Sequence, residues 1–307
     1  MVSHSVSNPG TDEEGGGTLY VVATPIGNLA DITLRALEVL KNAAVVAAED
    51  TRHSRGLLQH YAIATRLFAL HEHNERAASA QLLAWLAEGK DVALVTDAGT
   101  PAISDPGAVA VRQAQEAGFA VVPIPGPSAL IAALSASGIA PTGFRFLGFL
   151  PAKSGERAAL LAQHAAAQET LVFYEAPHRI VAAVAAVAVA CGPERPMVIC
   201  RELTKRFESI QRCAAGAAAA WLAADENRQR GEFVVLVEGA PATAADAGDD
   251  AQVRAQLAVL LAELPLKQAV AIATKLSGAK RNAVYAIALE LQAGSLHDGE
   301  VRARGGA

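Results

Sequence analysis

Residues 91–118 read DVALVTDAGTPAISDPGAVAVRQAQEAG. An apolar run comes first, an amphipathic stretch typical of a helix comes last, and a loop rich in Asp, Gly and Pro lies between them. Gly supplies positive φ, Pro fixes φ and Asp bonds its own backbone, so such residues form turns. The order strand, loop, helix places the loop at the end of a strand where parallel α/β sheets bind ligands.

Short apolar runs and longer amphipathic runs alternate on both sides of this stretch. From Thr18 onwards the apolar runs show no polar alternation, which is typical of strands buried on both faces, and the helices between them indicate right-handed βαβ crossovers. We therefore predict an α/β fold whose first domain, residues 18–126, holds a five-stranded parallel sheet. A second α/β domain, residues 127–240, is predicted from FRFLGFLP, TLVFYEAP, PMVICREL and GEFVVLVEG, with ESIQRC as a further short antiparallel strand.

The two ends of the chain differ from its middle. Residues 1–17 have neither a basic start nor an apolar core, so we expect a disordered segment rather than a secretory signal or a membrane anchor. The small and acidic residues 241–251 predict a linker. Residues 252–292 contain three helical stretches, the last two separated by SGA, which predicts a compact helix-turn-helix-like unit before a tail at 293–307.

Composition argues against several classes of protein. The longest apolar run, Ile180 to Cys191, is too short to span a bilayer, so we expect no membrane association. The three cysteines form no C-x-x-C pair, which argues against a disulfide framework or a zinc site and favours the cytoplasm. No further ligand cluster with zinc-like spacing accompanies His71 and His73, so we expect no metal. The net charge of −5 argues against nonspecific wrapping of nucleic acid.

Several polar loops follow predicted strands, but none carries a nucleotide fingerprint. The first strand ends in TPIGNLAD, and the absence of G-x-G-x-x-G and of GK[ST] disfavours nicotinamide and nucleoside triphosphates. In one interpretation each loop caps the next helix, because Asp31, Asp105 and Ser128 stand where N-caps belong. Two turns of the type Asp-Ala-Gly-Thr-Pro and Asp-Pro-Gly within one loop favour a binding site instead.

Seven segments in order carry a resemblance to a known family: TPIGNLADITLRALEVLKNA, AAEDTRHSRGLL, HEHNE, TDAGTPAISDPG, PIPGPSA, FYEAPHRI and RELTKRFES. From Leu19 to Gly239 the chain resembles the bacterial 16S ribosomal RNA (cytidine 2′-O)-methyltransferases of the tetrapyrrole-methylase superfamily. The resemblance implies two α/β domains with S-adenosylmethionine in the cleft between them, a C-terminal extension, 16S RNA of the small ribosomal subunit as partner, and a homodimer. The chain departs from the family at Ala152, where a basic residue is frequent, so one RNA contact is expected to be missing.

The resemblance also implies which residues meet the cofactor. The loops at the strand ends would supply backbone and side-chain contacts from both domains: Pro25, Ile26, Asp97, Thr100, Ala102, Ile103, Ser128, Ala129, Tyr174, Leu203 and Phe233. Asp105 and Gly107 have two open interpretations. They either belong to the site or only position the loop and start the next helix.

Methyl transfer to a ribose hydroxyl needs positioning and a base that removes the proton. The candidates in the loops are Glu49, Asp50, Glu175, His178, Glu202 and Lys205. The alternative for the first two is that they pair with Arg52 or Arg55 and only order their loop. The sequence does not choose among these candidates.

Basic residues are unevenly placed along the chain. Between Leu264 and Leu289 there is no acidic residue, and this region predicts contacts to RNA phosphates through Lys267, Lys275, Lys280 and Arg281. In the loops, the candidate RNA contacts are Arg52, Arg55, Lys153, Arg157 and Arg179. The alternative for each is an ordinary solvated charge. Two other functions stay open, a tetrapyrrole methyltransferase and a noncatalytic RNA-binding assembly protein with the same fold.

Overall fold

The computed structural model describes residues 16–139, 143–241, 244–279 and 281–291. The chain divides into one compact unit that ends at Ala240 and a second that starts at Pro241. The first unit holds two five-stranded sheets.

All strand pairs of the first sheet are parallel, as predicted. In the order β3-β2-β4-β1-β5, its strands are β1 (Leu19–Val22), β2 (Val45–Ala48), β3 (Arg66–Ala69), β4 (Val92–Val95) and β5 (Val121–Ile124). The helices between the strands are α1 (Leu34–Asn42), α2 (Thr51–His60), α3 (Glu75–Ala87) and α4 (Ala108–Glu116).

The central strands of this sheet are apolar at every position because both faces are covered. In β2, Val46 and Ala48 belong to one core cluster with Leu40 of α1. Val45 and Ala47 belong to the opposite cluster with Leu82 of α3. Alternate residues of a strand point to opposite faces, so polar residues have no place in β2.

The second sheet is mixed, in the order β6-β7-β10-β8-β9. Its strands are β6 (Phe144–Phe149), β7 (Thr170–Glu175), β8 (Pro196–Arg201), β9 (Ser209–Ala214) and β10 (Phe233–Val237). β6 pairs in parallel with β7, and the pairs β7–β10, β10–β8 and β8–β9 are antiparallel. The predicted antiparallel strand ESIQRC is therefore confirmed as β9.

Helices cover the two faces of the second sheet unequally. One face packs against α5 (Ala129–Ala136). The other packs against α6 (Ser154–His164), α7 (Ile180–Cys191) and α8 (Ala215–Ala223). The strand ends beside α5 stay open to a pocket, while the three-helix face holds the larger core.

The second unit is helical. It contains α9 (Ala244–Glu263), α10 (Leu266–Ser277) and a helix at residues 281–291, with a turn at Gly278, whose φ is +70°. The linker predicted at 241–251 is wrong from Ala244 onwards, since α9 begins there. The residue types explain the error, because Ala is the best helix former and Asp is favourable near a helix N-terminus.

The core of this second unit is formed by apolar residues from its three helices, including Leu257, Val270 and Val284. Lys280 lies outside the described residues. Across the parts of the chain that the structure describes, every helix is too short or too polar to pass through a bilayer.

Candidate active site

The loop between β4 and α4 has an unusual backbone. Its φ angles are positive at Gly99, Ala102, Ser104 and Gly107, with values of 86°, 67°, 66° and 126°. A non-glycine residue in this region is uncommon, and such conformations persist only where the surroundings enforce them, frequently at functional sites. The turn-forming residues in 95–107 therefore give the loop a defined backbone conformation.

Hydrogen bonds tie this loop to its neighbours. The backbone of Thr24 and Gly99 forms a two-bond bridge, with N···O distances of 2.8 and 3.0 Å. The Thr24 hydroxyl donates to the carbonyl of Thr96 at 3.1 Å, and the Thr100 hydroxyl donates to the carbonyl of Pro127 at 3.2 Å. The loop is thus fixed to the end of β1 and to the PGPSA segment.

Helix α4 begins at an N-cap formed by Gly107, not by Asp105. The Glu75 carboxylate accepts from the N–H of Gly107 at 2.8 Å and of Val109 at 3.1 Å. A Cβ at Gly107 would lie 2.9 Å from Leu94 Cδ2, and φ is positive there, so this position requires glycine. The N-cap interpretation of Asp105 is therefore wrong, and Asp105 is free for another role.

Of the other two N-cap predictions, that for Asp31 is wrong and that for Ser128 is confirmed. Asn28 caps the short 3₁₀ turn that contains Asp31, and Thr33 caps α1. Ser128 is the N-cap residue of α5, but its side chain makes no capping hydrogen bond. Ser128 also lines the pocket described next.

A pocket of about 470 Å³ opens between the loops at the strand ends of both sheets. Its volume lies in the range of small-molecule sites. The predicted cofactor residues that line it are Ile26, Asp97, Thr100, Ile103, Ser128, Ala129, Tyr174, Leu203 and Phe233. Pro25 and Ala102 do not line it, although each precedes a residue that does.

Three carboxylates line one side of the pocket: Glu49, Asp97 and Asp105. The Thr96 hydroxyl donates to Glu49 Oε2 at 2.7 Å, and Asp97 Oδ1 accepts from the N–H of Asp50 at 3.0 Å. Burial, followed by the charge of Glu49, raises the pKa of Asp105 to about 6. The role of Asp105 was left open by the sequence analysis. Glu49 is far from Asp105 along the chain, and only the fold brings the two carboxylates close together.

Asp50 is not placed to act on a substrate. Its carboxylate caps α2 by accepting from the N–H of Arg52 at 2.8 Å and forms an ion pair with the Arg52 guanidinium at 2.7 Å. Hydrogen bonds from Arg52 hold the pKa of Asp50 well below its usual range. Asp50 therefore pairs with Arg52 and orders its own loop, which is one of the two interpretations that the sequence analysis left open. His178 and Glu202 do not line the pocket either.

Lys205 forms a charged cluster at the pocket wall. Its ammonium contacts Glu202 Oε1 at 2.9 Å and Glu232 Oε2 at 2.6 Å. Burial alone would lower the pKa of Lys205, but the hydrogen bonds to Glu232 and Glu202 raise it overall. Lys205 is thus a fixed cation rather than a base. Glu232 was missed by the sequence analysis, since its pairing with Lys205 depends on β10 lying beside β8.

Gly27 lies under the Lys205 side chain. A Cβ at Gly27 would lie 2.4 Å from Lys205 Cγ, and φ at Gly27 is +157°. The TPIGN loop of the first sheet and the RELTK loop of the second sheet therefore meet closely at this glycine. The RELTK loop is itself strained, with positive φ at Glu202 and Thr204.

Glu175 lines the pocket but serves the fold. Only 1% of it is exposed, Oε1 accepts from the N–H of Ala176 at 2.9 Å, and Arg179 pairs with it at 3.1 Å. These contacts hold the Glu175 carboxylate in place, so we assign it to the fold rather than to the substrate.

Two of the predicted RNA contacts are used inside the chain. Arg179 also donates to the carbonyl of Leu150. Arg157 is 8% exposed and donates to the carbonyls of Pro151 and Ala152 at 3.4 and 3.3 Å. These internal contacts argue against the prediction that Arg157 and Arg179 contact RNA, because the turn after β6 needs donors for its carbonyls.

The other predicted RNA contacts are exposed. They are Arg52, Arg55, Lys153, Lys267, Lys275 and Arg281. The side chain of Lys153 is 81% exposed and contacts Glu156 at 2.8 Å. Exposed ion pairs of this kind contribute little to stability, so such side chains are available to phosphates.

His71 and His73 lie in the turn that follows β3. The Asn74 side chain accepts from the N–H of His71 at 2.8 Å and donates to the carbonyl of Ala69 at 3.1 Å, which ends the strand. Among the residues that the structure describes, no three His, Cys, Asp or Glu side chains come together as metal ligands.

Comparison with known families agrees with this geometry. The profile of the tetrapyrrole (corrin/porphyrin) methylases matches residues 18–219, and that of the RsmI C-terminal HTH domain matches residues 247–292. Fold and pocket together define a methylase of the tetrapyrrole methylase class. The predicted fold class is confirmed.

Similar proteins show which family within this class the chain belongs to. The ribosomal RNA small subunit methyltransferase I of Escherichia coli O157:H7 is 52% identical over 276 residues, which cover 90% of this chain and 96% of that protein. The protein of the same name from Pseudomonas aeruginosa is 51% identical over 276 residues, which cover 90% of this chain and 98% of that protein. The chain belongs to the family of these ribosomal RNA small subunit methyltransferases I, so the resemblance inferred from the sequence is confirmed.

Solved structures share the fold. The cobalt precorrin-4 methyltransferase CbiF aligns with a TM-score of 0.53 at 20% identity, over 72% of this chain and 94% of that chain. The uroporphyrin-III-C-methyltransferase from Thermus thermophilus aligns with a TM-score of 0.51 at 21% identity, over 72% of this chain and 94% of that chain. At such low identity the likeness shows the fold alone.

Proposed function

We propose that this chain transfers a methyl group from S-adenosylmethionine to the ribose 2′-oxygen of a cytidine in 16S RNA of the small ribosomal subunit. The observation that carries the proposal is a pocket with three carboxylates on one wall and a strained loop, in a chain 52% identical to a protein named ribosomal RNA small subunit methyltransferase I. The resemblance of the loop motifs supports the cytidine 2′-oxygen as acceptor.

The pocket residues fit S-adenosylmethionine. When bound, this cofactor supplies a methyl group activated by a positive sulfonium. The carboxylates of Glu49, Asp97 and Asp105 give the wall a negative charge, which suits the cationic groups of such a ligand. The buried side chains of Leu203 and Phe233 offer apolar surface to a purine ring.

Asp105 is our proposed general base. It lines the pocket, and with a pKa of about 6 it is ionised at neutral pH while still being a useful proton acceptor. Glu49 faces the same space and is held by Thr96. The ordered loops would position the 2′-hydroxyl, and positioning contributes about 7 to 11 kcal/mol in favourable cases.

The exposed basic residues support contact with RNA phosphates. Among them, Lys267, Lys275 and Arg281 lie in the segment that matches the RsmI C-terminal HTH domain. Reversing these three charges to Glu should weaken subunit binding and flatten its salt dependence by about one unit of slope per lost contact. The matched control is Lys41→Glu on α1, another exposed lysine. Equal salt slopes in both variants would remove the helices from the RNA interface.

The domain boundaries, the homodimer, the small-subunit context and the cytoplasmic location stay predictions. Sedimentation at several protein concentrations tests the dimer. A chain that ends near Gly239 should fold and bind cofactor if the boundary near residue 240 is a true domain boundary.

The proposed reaction is tested by methyl transfer from labelled cofactor to small subunits that lack the modification, with free 16S RNA and a tetrapyrrole precursor as parallel acceptors. We expect label in the subunit RNA, a gap in its alkaline hydrolysis ladder and the added methyl on the ribose of cytidine. Label on a base, on another nucleotide or on the tetrapyrrole would contradict the proposal.

A further inference from the structure

The edge strand β6 contains one extra residue relative to its neighbour β7. Phe146 pairs with Val172, and the next pair joins Phe149 to Tyr174, so three steps along β6 match two steps along β7. Gly148 lies in this bulge with φ of +66°. Bulges of this kind are frequent beside active sites, where they redirect a side chain.

The bulge changes the face on which Phe149 lies. Phe146 packs in the cluster beside α5, and Leu147 packs against the cluster on the three-helix face. Regular alternation would place Phe149 on the same face as Leu147. With the extra residue, Phe149 instead shares the face of Val172 and Tyr174, where it lines the pocket.

Folding does not explain this position. Phe149 is 54% exposed, although a regular strand would have directed it toward a packed face. Its ring contacts Tyr174 at a centroid distance of 5.6 Å and an angle of 67°, which fixes its orientation and leaves much of its surface open. An oriented and exposed aromatic ring at the edge of a pocket is suited to stack against a ligand.

The ring stands near the loop that carries the proposed base. A Cβ at Gly148 would lie 3.6 Å from Ser104 Oγ, and Ser104 directly precedes Asp105. The apolar residues proposed for the cofactor, Leu203 and Phe233, are only 8% and 2% exposed. Phe149, at 54% exposure, therefore offers a ligand much more open surface than these two buried side chains do.

We propose that Phe149 is the platform on which the nucleobase of the acceptor nucleotide stacks. This inference rests on the proposed RNA methylation. Single-stranded RNA bases are commonly splayed out and stacked on aromatic side chains. Stacking orients the ribose of that nucleotide toward Asp105, and its loss should weaken acceptor binding by about 5- to 100-fold.

The test compares Phe149→Leu, Phe149→Trp and the control Phe144→Leu. Phe144 is an exposed phenylalanine of the same strand that does not line the pocket. We expect Phe149→Leu to raise KM for small subunits about 10-fold or more while the Kd for S-adenosylmethionine, measured by calorimetry, changes less than about 2-fold. Phe149→Trp should retain most of the wild-type KM, and Phe144→Leu should match the wild type.

Each other result overturns the inference in a distinct way. A weakened cofactor Kd in Phe149→Leu would assign the ring to the cofactor. A KM equal to that of Phe144→Leu would remove the platform while leaving the proposed function intact. A wild-type protein that methylates no small subunit would overturn the proposed function, and the platform with it. Melting temperatures verify that all variants are folded.

Discussion

The two walls of the pocket are built from different chemistry. The wall from the first sheet carries carboxylates and a strained loop, with Glu49, Asp97 and Asp105 around it. The wall from the second sheet carries aromatic and apolar side chains, and its charged groups are held in ion pairs: Lys205 with Glu232, and Glu175 with Arg179. The carboxylates that would act on the reacting groups thus lie on one wall, and the apolar surface that would hold the flat rings of the ligands lies on the other.

The physical origin of the difference lies in the two sheets. All strands of the first sheet run in parallel, so their carboxyl ends meet at one edge and the loops that follow supply polar backbone and Asp or Glu. The second sheet is mixed, and its wall includes side chains from within or at the ends of strands, such as Tyr174 and Phe233. Aromatic and β-branched side chains are enriched in strands.

The largest expected effect comes from the charged wall. Replacing Asp105 by Asn keeps its shape but removes the proposed base, so kcat should fall by about 10² to 10⁴-fold. The wild-type kcat/KM should rise as pH increases through about 6, and the variant should lose this limb. Steady-state kinetics on small subunits between pH 5 and pH 8 measure both.

The control for this variant is Glu116→Gln, an exposed carboxylate on α4 outside the pocket. It should keep the wild-type rate and pH limb. If kcat/KM of Asp105→Asn still rises with pH and that of Glu49→Gln does not, the general base is Glu49 and not Asp105.

The next effect concerns cofactor binding by the same wall. Asp97→Ala removes a carboxylate that lines the pocket and also accepts from the N–H of Asp50. Loss of one hydrogen bond to a charged group costs about 1.5 to 3 kcal/mol, so the cofactor Kd should rise about 10- to 100-fold. Calorimetry measures it, and an unchanged Kd in a folded variant would exclude Asp97 from the site.

Much of the charged wall could be predicted from sequence because its causes are local. Apolar strands followed by Gly, Pro and Asp predict a parallel sheet with loops at its edge, and this pattern singles out the loop that contains Asp97 and Thr100. The family resemblance then gave the individual contacts on both walls, including Asp97, Thr100, Tyr174 and Phe233.

The remaining features depend on contacts between distant residues. Phe149 reaches the pocket only because β6 bulges against β7. Arg157 resembles a surface cation in sequence, yet it is buried to satisfy backbone carbonyls. The pKa of Asp105 depends first on burial and then on Glu49. The local sequence does not encode these three features, because each depends on contacts with residues that are distant along the chain.

A moderate effect is expected where the two walls touch. Gly27→Ala would place a Cβ 2.4 Å from Lys205 Cγ at a φ of +157°, so the free energy of unfolding should fall by about 1 to 3 kcal/mol. In Lys205→Ala the side chain that clashes is absent, and the same glycine substitution should cost less. A double-mutant cycle in urea measures this coupling. Additive effects would mean that the walls do not contact each other through Lys205.

The smallest effect is the pH dependence of stability at Asp105. Its pKa in the folded chain is raised from 3.8 to about 6, chiefly by burial and then by Glu49, with a smaller contribution from Asp97. The folded state therefore holds the proton more tightly than the unfolded state, so this stabilisation is complete below pH 3.8 and is lost as pH rises through about 6.

At pH 7.5 the charged wall contains an unfavourable carboxylate that Asp105→Asn removes. After discounting for the partial exposure of this group, the variant should be more stable than the wild type by about 1 kcal/mol at pH 7.5. Because Asp105 is already protonated at low pH, the difference should shrink toward zero near pH 4. Urea denaturation at the two pH values measures it, and an equal stability of both proteins at pH 7.5 would show that water screens Asp105 and that the wall tolerates its three charges without strain.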